Sequence, residues 1–285
     1  MANARDIKRR IKSVGSTQQI TKAMKMVSAS KLRKSQTSVQ AVRPFVRKME
    51  DVIFGLGGAS DHEYLHQRQQ VNKVCYLVIG SDRGLCGGFN VNLHRYLDHI
   101  LKEETREYTL VVIGNKVADH CRRMQYPIYK RYSAVGDNPN FHQAMIIATE
   151  LANAYHKCEF DEIKIVFSEF KSAMSQSPRV KNLLPIEEPE SGHDGDNGPV
   201  NNYIFEPDVE TILSIVLPQY VDICVYAALQ NAKASEHGAR MTAMSSATDN
   251  ASDMISKLTL SLNRARQAAI TTEISEIVGG AAALN

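Results

Sequence analysis

The sequence predicts an α/β fold: a long antiparallel coiled coil of N- and C-terminal helices plus a central α/β domain with a mainly parallel sheet. Three observations carry that prediction. The aromatic residues, 11 Tyr and 8 Phe, all lie between Phe45 and Tyr226, and residues 1–43 and 227–285 contain neither aromatics nor proline. Both ends repeat apolar residues at helical spacing, and the middle alternates strand-like with helix-like segments. Globular cores draw on aromatic rings, so the middle is the domain and the ring-free ends are helices that pack on each other.

The N-terminal coiled-coil helix is expected over 1–58. Ile7, Ile11, Val14, Ile20, Met24 and Val27 keep to one side, and Val39, Val42, Val46, Met49, Ile53 and Leu56 follow steps of three and four. Pro44 predicts a kink.

The α/β domain is expected over 73–206. Its strands are "KVCYLVIG", "TLVVIG", "PIYKRYSAV", "EIKIVFSEF" and "SPRVKNLLPI", and its helices are "FNVNLHRYLDHILKEE", "NKVADHCRRM" and "NFHQAMIIATELANAYHKC". That alternation reads as Rossmann-like βα units. The acidic stretch "EEPESGHDGDNGP" lacks periodicity and reads as an exposed loop.

The C-terminal coiled-coil helix is expected over 208–285. Met241, Met244, Thr248, Ala251, Ile255, Leu258, Leu262, Ala265, Ala269 and Thr272 alternate steps of three and four, as a coiled-coil seam does. Pro218 predicts a helix start or bend. Gly15 and Gly238 each cost about 1 kcal/mol relative to Ala in a helix interior. At 1.5 Å per residue the two ends reach roughly 75 Å and 100 Å, so the pair is expected to extend past the domain.

Composition excludes several classes. The chain has 285 residues, 23% charged, with a net charge of +3. No run of 18 apolar residues predicts a membrane span. Five scattered cysteines without a CxxC pair argue for a reducing compartment and against a disulfide framework. The basic start "MANARDIKRRIKSVGST" has the composition of a transit peptide, but its apolar pattern runs unbroken into the following helix.

Charge is partitioned. Residues 1–50 carry 13 Lys or Arg against Asp6 and Glu50, whereas residues 182–232 carry nine acids and no Lys or Arg. Two electrostatically distinct contact surfaces follow. Nucleic-acid binding by the basic helix is the competing reading from another class. Its cations interleave with an apolar seam, and no aromatic is available for stacking.

Catalytic motifs are missing. "GSDRGLCGGFN" sits where phosphate-binding loops sit, yet neither GK[ST] nor G-x-G-x-x-G is in register. A tight turn is the better reading. His62 and His66 stand at i, i+4 without a third ligand, so no metal site is expected.

Three stretches carry a family resemblance: "IKRRIKSVGSTQQITKAMKMVSASKLRKSQ", "SDRGLCGGFN" and "ATDNASDMISKLTLSLNRARQAAITTEISEIVGGAAAL". In this order, and over the whole length, the chain resembles the gamma subunit of bacterial F-type rotary ATP synthases. The resemblance implies a central rotor shaft without catalytic residues or cofactors of its own. Its implied partners are the alpha and beta subunits, epsilon and the c-ring, with no nucleic acid, at the cytoplasmic side of the bacterial inner membrane. It also implies that Arg266, Gln267, Thr271, Met24 and Arg240 contact beta, and that Tyr203 and Glu206 face the c-ring.

Overall fold

The computed structural model describes residues 4–57, 62–133, 135–187 and 208–283. In chain order the elements are α1 (Ala4–Gly57), β1 (Lys73–Ile79), α2 (Phe89–Glu103), β2 (Glu107–Ile113) and α3 (Asn115–Arg123). They continue with β3 (Ile128–Tyr132), α4 (Phe141–His156), β4 (Glu162–Phe170), β5 (Gln176–Leu184) and α5 (Val209–Ala283). Two long terminal helices therefore bracket an α/β domain, as the sequence predicts. The acidic stretch from Glu188 onward lies outside the described residues, as do Tyr203 and Glu206.

The sheet runs in the order β3-β2-β1-β4-β5. Its first three pairings are parallel, and β5 closes one edge antiparallel to β4. Side chains of successive strand residues point to opposite faces, so the apolar run of β1 supplies two cores at once. Val74, Tyr76 and Val78 pack with Leu93, Leu97 and Val117 of α2 and α3. Cys75, Leu77 and Ile79 pack with α4 and with Met49, Ile53 and the Leu213–Ala232 stretch of the terminal helices.

Two compact units divide the chain: residues 29–240, and residues 1–28 with 241–285. In the larger unit, Val42 and Val46 are half-buried and Met49 and Ile53 buried along α1. The Leu56 side chain lies outside the described residues. Glu50 of α1 accepts a hydrogen bond from the Tyr220 hydroxyl of α5 at 2.8 Å.

In the smaller unit the two helices meet along the predicted seam of α5. Met241, Thr248, Ile255, Leu258, Leu262 and Ala265 are half-buried, and Met244 and Ala251 are buried. Ala269 and Thr272 are exposed. On α1 the seam differs from expectation: Ile20 is 60% and Val27 54% exposed, while Thr21 and Ser28 are buried. One residue turns a helix by about 100°, and the heptad from Ile7 through Val14 selects Thr21 and Ser28. The Thr21 hydroxyl is tolerated there because it has partners. Thr21 Oγ1 donates to the Gln18 carbonyl at 3.0 Å, and Thr248 Oγ1 donates to Thr21 Oγ1 at 2.8 Å.

Neither proline ends a helix. Pro44 lies inside α1 and Pro218 inside α5, which begins earlier because Asp208 caps it. The Asp208 carboxylate accepts the Thr211 amide at 2.8 Å, satisfying a donor at the helix start. An 18-residue window of α5 reaches a mean hydropathy of 1.8, but half of it is buried within the protein. Its apolar side belongs to the core.

Candidate functional site

Open α/β sheets bind ligands outside the carboxyl ends of their strands, where strand order reverses. Here that point lies between β1 and β4. The glycine-rich loop after β1 borders it, and the structure shows why the loop needs glycine. A Cβ on Gly80 would stand 2.2 Å from Val117 Cγ2, and one on Gly114 (φ +101°) would stand 2.7 Å from the Gly80 carbonyl oxygen. Glycine lets the two βα turns touch.

The amides that could greet an anion at the start of α3 are already engaged. Asn115 N donates to the Asp82 carboxylate at 3.1 Å, and Lys116 N donates to the Ser81 carbonyl at 3.0 Å. The Ser81 hydroxyl donates to Asn90 Oδ1 at 2.7 Å. The two amide hydrogen bonds tie the loop after β1 to the start of α3.

The crevice itself is filled by α5. Gly238 sits so close to the β4–β5 hairpin that an added Cβ would lie 3.3 Å from both Ala173 Cα and Phe170 Cε2. Ala239 packs with Cys86 and Phe89. The helix glycine thus has a steric reason, which periodicity does not reveal.

Charged groups are buried here as well. Lys233 and Arg240 both pair with Glu236, at 3.0 and 2.8 Å. Buried charges are tolerated when paired in this way. Lys31 pairs with Asp137 and holds that carboxyl below its ordinary pKa. His237 is 1% exposed, and burial pushes its pKa down.

The predicted contact residues fall into distinct environments. Arg266, Gln267 and Thr271 are exposed on α5 beyond the last half-buried seam position, Ala265, and every residue from 266 to 280 is exposed. Thr271 Oγ1 donates to the Gln267 carbonyl at 2.9 Å. Met24 is half-buried on α1. Arg240 is 8% exposed and belongs to the buried group: its guanidinium donates to Glu236 at 2.8 Å and to the Gly84 carbonyl at 3.3 Å. Tyr203 and Glu206 lie outside the described residues.

Sequence reasoning missed Gln230, Lys233, Ser235 and Glu236. The only available signal was the spacing of Lys233, Glu236 and Arg240, which places opposite charges one helical turn apart. Among the described residues, no group of three or more His, Cys, Asp or Glu is arranged to hold a metal ion.

Residues 3–284 match a protein-family model described as ATP synthase. The chain is 50% identical to the ATP synthase gamma chain of Moorella thermoacetica over 286 residues, covering 100% of both chains. It is 51% identical to that of Desulfitobacterium hafniense over 291 residues, again with 100% of both covered. Among solved structures, it superposes on a chain from the Euglena gracilis mitochondrial ATP synthase (OSCP/F1/c-ring, rotational state 3). That match has a TM-score of 0.70 at 20% identity, covering 99% of this chain and 94% of that one. A chain of the Tetrahymena thermophila central stalk and c-ring gives a TM-score of 0.61 at 25% identity, covering 80% of this chain and 99% of that one.

Proposed function

From the premise that this chain belongs to the ATP synthase gamma-chain family, as a central-stalk subunit, we propose that it is the torque-carrying rotor shaft. It couples rotation of a proton-driven c-ring to three beta subunits and has no ATPase activity alone. The helices α1 and α5 form the shaft, and the α/β domain is the part that meets epsilon and the c-ring. The complex sits at the cytoplasmic face of a bacterial inner membrane.

One observation carries this reading. The end of α5, from Arg266 to Gly280, is helical and exposed on every side in the isolated chain. Ile270, Ile274, Ile277 and Val278 are 44–67% exposed there. Apolar helix surface left uncovered marks an interaction site. A sleeve of alpha and beta subunits would cover it, with Arg266 and Gln267 supplying hydrogen bonds that form and release. Met24 and Arg240 are assigned to lower beta contacts, and Tyr203 and Glu206 to the c-ring, by resemblance.

Mixing this chain with alpha and beta subunits tests the reading. Recovery of one copy per alpha–beta hexamer is expected. Failure to co-purify, or retention on duplex DNA with a steep salt dependence, would favour the nucleic-acid alternative.

A further inference from the structure

We propose that the buried segment of α5 from Gln230 to Arg240 is a torsional clamp, fastening the helix against rotation about its own axis inside the α/β domain. The proposal deepens the rotor reading and rests on it. Every residue from Ala232 to Arg240 is buried, so the helix is embedded on all sides. The hydrophobic driving force is non-directional, so it buries the segment without selecting a direction for any one contact. Hydrogen bonds to fixed carbonyls resist axial twist directly.

Three side chains provide such bonds. Gln230 Nε2 donates to the Pro139 carbonyl at 2.8 Å, Ser235 Oγ to the Ser168 carbonyl at 2.9 Å, and Arg240 Nη2 to the Gly84 carbonyl at 3.3 Å. Their acceptors lie on the segment before α4, on β4, and on the loop after β1. Positions five apart on a helix differ by roughly 140° in direction, so the three bonds fan out around the axis. A twist in either sense strains at least one of them.

Two details single out these bonds. Across the β4–β5 ladder, Ser168 faces Pro178, which has no N–H to donate, and Ser235 supplies a donor to the Ser168 carbonyl. Gln230 is 1% exposed, and its Oε1 has no partner. An orphaned buried acceptor is destabilising, so Gln230 is a poor choice for stability and a good one for direction. Lys233 and Arg240 neutralise Glu236 within the same helix, which leaves the Arg240 guanidinium held toward Gly84.

The test uses the complex with a surface-fixed, cysteine-free alpha–beta hexamer and a bead on the exposed thiol of Cys158. Thermal fluctuation of the bead angle reads torsional stiffness. Gln230→Met and Ser235→Ala are each expected to raise the angular variance roughly twofold, since each removes one directional fastening. Hydrolysis by the hexamer should stay unchanged. Gln230→Met loses one bond but also the orphaned acceptor, so it retains its fold and decides the matter even if Ser235→Ala assembles poorly. Tyr76→Phe, which deletes a 2.7 Å bond to Glu104 on the opposite face of the sheet, should leave the variance unchanged. Unchanged variance in Gln230→Met, or equal broadening in Tyr76→Phe, overturns the clamp while the rotor reading stands. A chain that never joins the hexamer overturns both.

Discussion

His94 shows how a single side chain ties stability to pH. Its ring stacks on His120 at 4.2 Å, and its Nε2 is buried without a partner. Burial, with His120 adding to it, lowers its pKa from 6.5 to about 4. The folded protein therefore refuses a proton that the unfolded chain accepts below pH 6.5. Stability contributed by the neutral ring is complete above pH 6.5 and is lost as pH falls toward 4. Urea midpoints at pH 7 and pH 4.5 should differ less in His94→Phe than in the parent chain. His237, also held low by burial, supplies a residual slope. An identical slope in the variant would exclude His94 as a source.

Within the helices, two glycines that look alike in sequence behave oppositely. A Cβ at Gly15 would meet nothing within 4 Å, whereas one at Gly238 presses on Ala173 and Phe170. Gly15→Ala is expected to raise stability by about 0.5–1 kcal/mol, the helix-propensity difference. Gly238→Val is expected to cost about 1–3 kcal/mol through overpacking. Thermal melts of the two variants, shifting in opposite directions, check the contrast. The seam on α1 teaches a related lesson. Apolar residues alone pointed to Ile20 and Val27, but the seven-residue repeat carries Thr21 and Ser28 into the interface. Small hydroxyl residues bond their own helix or the facing one, so burial does not penalise them as polarity alone suggests.

For the molecule as a whole, the proposed rotor reading gives folding and function to different parts of α5. Residues 209–240 complete the core of the domain, while residues 266–280 are exposed. Arg266→Ala combined with Gln267→Ala should therefore leave the melting temperature of the isolated chain unchanged. In the assembled complex, loss of charged hydrogen bonds worth about 1.5–3 kcal/mol should lower coupled ATPase turnover about tenfold or more. A fall in melting temperature with turnover intact would reverse the assignment of these two residues.

The sequence by itself determined the element order, the two terminal helices and the seam of α5 down to Ala265. These follow from hydrophobic periodicity and from where aromatics and prolines are absent, which are local properties. It also marked the glycine loop as a turn, because the phosphate-binding registers were missing. Only the tertiary structure decided that α5 fills the crevice at the reversal of strand order, that Gly238 lies in close approach to Ala173, and that Arg240 is buried against Gly84. The reason is physical. Each of these depends on contacts between residues some 65 to 156 positions apart, and helical or strand periodicity carries no information about partners at that distance.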